Sequence, residues 1–314
     1  MNLQTKISLT PAKKQFGYTD KLLLLGSCFA ENIGEKLEYY KFQSTVNPYG
    51  ILFHPLAIER VLGDTCGNNG FGEDTIFESD GVWKSFIAHS RLNATSQGKV
   101  IDRLKTAQSD LRVAITAASH VFITLGTAWV YQHKASGLAV ANCHKVPQNE
   151  FVKGLLPIPE ITASLERQII LVKSLNPRVQ IIFTVSPVRH LKDGFVENNR
   201  SKAHLLSAVH EVCESGNASY FPAYELMMDE LRDYRFYASD MLHPSEQAVD
   251  YIWERFVDVY AFAKAHKTIK EVGNIQAGLT HRAFNTESEQ HKTFLGKLNL
   301  RIETLQKQYS HIHF

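Results

Sequence analysis

Short continuous apolar runs alternate along this chain with longer stretches in which apolar residues recur every three or four positions. The first run, Leu22-Leu23-Leu24-Leu25, breaks at Gly26-Ser27 and reads as a strand buried on both faces. Residues 42–46, 120–125, 180–185 and 220–221 read as four more strands. Helical spacing fills the intervals at residues 31–40, 55–62, 101–118, 159–174 and 200–213, and continues at 224–231 and 245–262. In the first of these, Ile33, Leu37 and Tyr40 mark the apolar stripe. Strands alternating with long helical patterns predict βαβ crossovers and a parallel sheet with helices on both faces.

Two segments depart from that rhythm. Residues 75–77 and 82–89 flank Glu78-Ser79-Asp80-Gly81, and residues 129–133 and 138–141 flank Lys134-Ala135-Ser136-Gly137. Both are hairpin signals: the first predicts an insertion beside the main sheet, the second a hairpin on the crevice side. Residues 63–72, rich in glycine and asparagine, predict a loop. Beyond Lys264, residues 273–278 predict a linker, and residues 287–308 an amphipathic helix that covers either the core or a partner chain.

Composition narrows the class. With 44% hydrophobic and 21% charged residues in 314, the chain can bury a sizeable core. A net charge of +2 without a dense Lys/Arg block predicts neither a nucleic-acid nor an anionic-membrane partner. No apolar stretch approaches the ~18 to 20 residues of a membrane span. The opening Met1-Asn2-Leu3-Gln4-Thr5-Lys6 has no secretory pattern, and Cys28, Cys66, Cys143 and Cys213 lack paired spacing. Free thiols in a reducing, cytoplasmic compartment are expected. The scattered histidines form no metal-ligand spacing, and no glycine-rich phosphate loop follows a strand, so neither a metal nor a cofactor is expected.

Chemistry concentrates at two places. Ser27 stands at the carboxyl end of a predicted central strand, where open α/β sheets place their ligands. Far along the chain, Asp240-Met241-Leu242-His243-Pro244-Ser245 puts a carboxylate three residues before a histidine, with Ser245 placed to cap the next helix. A serine hydroxyl needs a base within hydrogen-bond reach, and a carboxylate can fix that base's tautomer. Each residue also has an ordinary reading: Ser27 as a helix cap, Asp240 as a turn residue, His243 as a surface histidine. The GxSxG elbow of α/β-hydrolases is absent. Cys28 and Cys143-His144 are set aside as thiol nucleophiles, because free cysteines are more often small buried hydrophobes.

Gly26-Ser27-Cys28-Phe29-Ala30 resembles the signature of the GSCFA family, a group similar to a branch of the SGNH (GDSL-type) hydrolases. The resemblance runs from about residue 8 to about residue 256 and takes in Asn47-Pro48-Tyr49-Gly50, Leu125-Gly126-Thr127-Ala128-Trp129, Asn142-Cys143-His144-Lys145 and Ser186-Pro187. It implies Ser27 as nucleophile, His243 as base and Asp240 as its orienter. The superfamily's third block usually reads Gly-x-Asn-Asp, its asparagine donating to the oxyanion; here Ala128-Trp129 follows Gly126-Thr127. The expected donors are therefore the N–H groups of Ser27 and Gly50, with Asn142 replacing the missing amide and Asn47 as second candidate. His144 and Lys145 are placed in the lining of the acyl or alcohol pocket.

The expected architecture is a flavodoxin-like, doubly wound α/β/α domain over residues 1–264, with sheet order 2-1-3-4-5 and hairpin insertions, and a C-terminal helical extension over 265–314. The expected function is cofactor-free serine ester hydrolysis, removing a small acyl group from a small-molecule or carbohydrate ester. Acyl transfer to a sugar hydroxyl by the same triad is one alternative; a catalytically silent carbohydrate-binding or scaffold protein is another.

Overall fold

The structure is a computed structural model and describes residues 4–67, 70–71 and 75–314. Five parallel strands form the central sheet: β1 (Lys21–Gly26), β2 (Gln43–Val46), β5 (His120–Leu125), β9 (Gln180–Val185) and β10 (Ser219–Phe221). Their spatial order is β2-β1-β5-β9-β10, which is 2-1-3-4-5 when only parallel strands are numbered. The chain leaves β1 toward β2 on one side and returns to β5 on the other. That reversal creates a switch point between β1 and β5.

Period-two alternation sends the leucines of β1 to opposite faces. Leu23 and Leu25 join Val121, Ile123 and Leu125 of β5 and Ile181, Phe183 and Val185 of β9 in one core. That core is closed by α2 (Pro55–Gly67), α3 (Gln97–Ala117), α4 (Ile158–Leu175) and α5 (Phe195–Glu214). Leu22 and Leu24 enter the other core with Phe122 and Ile182, under α1 (Cys28–Tyr39) and α7 (Glu246–Tyr260). The short helix α6 (Ala223–Glu225) runs on into a π-helical segment, Leu226–Leu231, on this second face.

Two small antiparallel sheets flank the main one. β3 (Ile76–Ser79) pairs with β4 (Val82–Ser85), as the first hairpin signal predicts. The second hairpin, β6 (Trp129–His133) with β7 (Ala139–Val140), gains a third strand, β8 (Phe151–Leu155), on the far side of β6. The alternation rule misses β8 because Lys153 and Gly154 interrupt its apolar face.

The C-terminal region corrects one expectation. Residues 273–278 are not a linker: they lie inside α8 (Ala263–Thr280), where Val272 and Ile275 are buried and Gly273 packs beside Tyr40. α9 (Glu289–Gln308) and the tail contribute Leu298, Leu305 and Ile312 to the same core as α1 and α7. These helices therefore cover the core. The predicted 63–72 loop is corrected at its start, since α2 continues through residue 67; residues 68, 69 and 72 of that loop, like residues 1–3, lie outside the described residues. Among the described residues, no helix is long and apolar enough to cross a membrane.

Candidate active site

Ser27 sits where β1 turns into α1, at the switch point. The turn requires glycine before it: Gly26 has φ +124°, and a Cβ there would lie 2.0 Å from the carbonyl oxygen of Thr124. Ser27 has extended backbone at the N-cap of α1, but its side chain makes no capping hydrogen bond. The hydroxyl is buried and hydrogen-bonded to nothing. A serine used only as a cap would have spent its oxygen on the first helical turn. Here the oxygen is free, at the positive end of the helix dipole.

The second block forms a closed loop. Asp240 Oδ2 accepts from His243 Nδ1 at 2.6 Å, while Oδ1 accepts the N–H groups of Leu242 at 2.9 Å and His243 at 3.0 Å. Those bonds hold the carboxyl at a pKa of about 2, with the His243 N–H the largest contribution, then the imidazole, then the Leu242 N–H. An ionised carboxylate only accepts, so Nδ1 carries the proton and Nε2 is left as an acceptor. The N–H of Ala238 donates to His243 O at 2.8 Å, that of Ser245 to Phe236 O at 2.8 Å and that of Arg189 to Leu242 O at 3.1 Å. Ser245 Oγ caps α7 by accepting from the Ala248 N–H. Pinned in this way, the pair still leaves His243 47% and Asp240 44% exposed.

Two basic groups not singled out by sequence lie between these blocks. Lys202 of α5 is 1% exposed, and its ammonium donates to Gly126 O at the end of β5 and to Ser186 O at the end of β9, each at 2.7 Å. His190 is half-buried, its Nε2 out of contact with solvent and unbonded, and a Cβ on Gly126 would stand 3.2 Å from that nitrogen. Burial, then the charge of Lys202, then that of His243 hold the His190 imidazole down to about 3, so it stays neutral. Burial also lowers Lys202 to about 7, partly offset by the neighbouring Cys28. The Cys28 thiol is itself pushed up by burial and stays protonated near neutrality. Sequence carried one sign of Lys202: it falls on the buried stripe of α5, with Asn198, Ser201 and Leu205.

A lysine whose folded pKa is depressed makes stability rise with pH. Between about 7 and the ordinary 10.5, the unfolded chain holds a proton that the folded one has lost; below about 7, the cost of burying the charge is fully present. The unfolding free energy of the native protein, less that of Lys202→Met, is expected to climb by roughly 1.4 kcal/mol per pH unit across that window. Urea titrations at pH 7 and pH 9 measure it, and a flat difference would contradict the lowered pKa of Lys202.

The expected oxyanion donors are redistributed. The segment 47–53 lies across the strand ends: Leu52 donates to Gly26 O at 2.9 Å, and Phe53 O accepts from Gly126 at 2.8 Å and Thr127 at 3.0 Å. Gly50 corrects one expectation, because its N–H closes a turn onto Asn47 O at 2.7 Å and is not a free donor. The Ser27 N–H is likewise committed, to Thr124 O at 3.0 Å. Asn142 Oδ1 accepts the His144 N–H at 2.8 Å, an ordinary asparagine turn. His144 is buried against β3 and β4, its Nε2 donating to Ser85 O at 2.7 Å. Asn47 differs from these. Its Oδ1 accepts from the Gly26 N–H at 2.8 Å, directly before Ser27, and its Nδ2 is buried without an acceptor. Ala128 is fully buried, its N–H donating to Ser201 Oγ at 2.7 Å.

The GSCFA family model matches residues 21–256, from the start of β1 to within α7. The chain belongs to the GSCFA family. A second model, described as the C-terminal domain of GSCFA domain proteins, matches residues 272–314. No curated protein matches this GSCFA chain. Its matches among solved structures include an acetyl xylan esterase, Est2A, from the rumen bacterium Butyrivibrio proteoclasticus, with 10% identity, TM-score 0.37 and coverage of 77% of this chain and 63% of that one. The GSCFA chain thus spans less than two thirds of Est2A. A carbohydrate esterase family 3 protein from Talaromyces cellulolyticus matches with 9% identity, TM-score 0.34 and coverage of 81% and 99%. A serine-to-alanine mutant of an acetyl esterase, with an acetate ion, matches with 12% identity, TM-score 0.33 and coverage of 82% and 99%.

Proposed function

We propose that this protein is a serine ester hydrolase that removes a small acyl group from a carbohydrate, with residues 1–264 as the hydrolase domain and 265–314 as a helical extension. The observation that carries this reading is the buried, unbonded hydroxyl of Ser27 at the N-terminus of α1. Ser27 Oγ attacks the ester carbonyl as His243 Nε2 takes its proton, and the tetrahedral intermediate collapses when that proton passes to the leaving alkoxide oxygen. Water then attacks the acyl-serine, giving its proton to the same Nε2, and Ser27 leaves with that proton restored. Asp240 remains ionised throughout and keeps Nε2 facing the nucleophile. Unpaired Cys28, Cys66, Cys143 and Cys213 fit a reducing, cytoplasmic setting.

Asn47 takes the oxyanion role first assigned to Asn142. Its carbonyl is fixed by Gly26, which leaves Nδ2 as a preorganised donor beside Ser27. Asn47→Asp keeps the acceptor for Gly26 and removes the donor. It is expected to lower kcat by ~10² to 10³ with little change in KM, because the lost contact strengthens only in the transition state. Steady-state kinetics on an aryl acetate checks this.

A fluorophosphonate that labels activated serines tests the whole reading. Labelling mapped to Ser27, together with acetate release from an acetylated sugar, is the expected result. An unlabelled protein that still binds the sugar would be the silent binder, and an acylated second sugar in place of free acetate would make it a transferase.

A further inference from the structure

Arg189 follows β9 and lies against the loop that carries His243, its own N–H bonded to Leu242 O at 3.1 Å. Its guanidinium is stacked 4.1 Å from the ring centre of Tyr237, 5.2 Å from Tyr234 and 5.8 Å from Phe195. One terminal nitrogen, Nη1, is buried and makes no hydrogen bond. None of the described carboxylates forms an ion pair with it. A structural arginine ordinarily spends its fork on a carboxylate or on carbonyls, since a desolvated N–H without an acceptor is costly. This one lies among aromatic faces with the Tyr237 hydroxyl as its side-chain partner, and it is paired with no carboxylate. Planar, always charged and preorganised, it suits a carboxylate that arrives from outside.

The position says which part of a substrate would bring that carboxylate. In the proposed reaction His243 gives its proton to the leaving oxygen, so the residues around its loop border the leaving alcohol. The rim beside it is aromatic and basic: Lys192 lies 5.2 Å from the ring centre of Tyr131, and Phe195 and Tyr234 are 54% and 60% exposed. Exposed aromatic faces next to cations are a surface on which a charged sugar ring can stack.

We propose that Arg189 anchors an anion subsite on the leaving-group side of the crevice, taking the carboxylate of an acidic sugar whose hydroxyl carries the acyl ester. The substrate assignment rests on the ester-hydrolase reading; the anion subsite itself can be measured without turnover. Two arms separate them. In the first, kcat/KM is compared for an acetylated methyl glycoside of a hexuronic acid and for its uncharged hexose counterpart. The native protein is expected to favour the acid by about ten- to a hundredfold, the range of a charge-assisted paired hydrogen bond. Arg189→Gln is expected to bring the ratio close to one, and Arg189→Lys, which keeps the charge without the fork, to lie between.

In the second arm, calorimetry compares binding of the unesterified hexuronate glycoside and its neutral counterpart to Ser27→Ala protein. Preference for the acid, lost when Arg189→Gln is added, supports the subsite even if neither ester turns over, in which case the hydrolase reading alone fails. Equal binding of acid and neutral sugar, or equal kcat/KM for the two esters in the native protein, overturns the subsite while leaving hydrolysis intact. Both comparisons within the native Arg189 background stand without the Arg189 variants, so misfolding of either cannot rescue the proposal.

Discussion

Ser27→Ala is expected to lower hydrolysis of a short-chain aryl ester by ~10³-fold or more while leaving the melting temperature unchanged or slightly raised. The rate loss follows from removing the attacking oxygen; what remains is the contribution of binding and the oxyanion donors. The stability half is particular to this molecule. Ser27 Oγ is buried without a hydrogen bond, so its removal orphans no partner and relieves a desolvated hydroxyl. The backbone bond from Ser27 N–H to Thr124 O and the extended cap conformation do not depend on the side chain. A capping serine would give the opposite result, a loss of about 1 kcal/mol and full activity. Kinetics and calorimetry on one variant therefore distinguish the two readings of this residue. Cys28 offers no substitute nucleophile, since burial keeps its thiol protonated near neutrality.

The parts of this fold that were legible in sequence are those whose causes are local. Leu22 to Leu25, and the runs at 120–125 and 180–185, are strands because apolar residues fill both faces, and burial on both sides of a parallel sheet needs nothing else. Asp240 and His243 are equally local, since three residues of one turn suffice to bring carboxylate to imidazole. What failed depended on distant chain. β8 is a strand because β6 offers it an edge, despite Lys153 and Gly154. Residues 273–278 are helical because Val272 and Ile275 find a core against α1 and α7 that outweighs the low helix propensity of glycine.

The candidate oxyanion donors illustrate the same limit. Composition could mark Gly50 and Asn142 as turn residues, but whether an N–H is free depends on which carbonyl the folded loop brings to it, and Asn47 O claims that of Gly50. Lys202 and Arg189 were invisible as candidate site residues for a related reason. A lysine on a helix stripe and an arginine after a strand are ordinary until strand ends and aromatic rings surround them. Residues 126–128 show it too: Phe53 O occupies the N–H groups of Gly126 and Thr127, and Ser201 takes that of Ala128, which ties these residues to the 47–53 segment and to α5.

Asp240→Asn is expected to cost about 10⁴ in kcat, somewhat less than His243→Ala, and the reason lies in how the carboxylate is already held. Oδ1 accepts two backbone N–H groups, from Leu242 and His243, and an amide can serve them only with its oxygen. The NH₂ group must then face His243 Nδ1, which becomes an acceptor, and the imidazole proton moves to Nε2, the nitrogen that has to receive the proton of Ser27. The loop stays closed while the tautomer is wrong, the situation in which the corresponding change in a serine protease costs about that factor. ¹⁵N shifts of the imidazole report the tautomer directly. Stability supplies a further sign. The folded carboxyl pKa of about 2 lies below its ordinary 3.8, so the stabilisation it gives is present above 3.8 and lost as pH falls through 2. That acid-dependent loss is expected to disappear in Asp240→Asn, and native turnover by this variant would remove Asp240 from the mechanism.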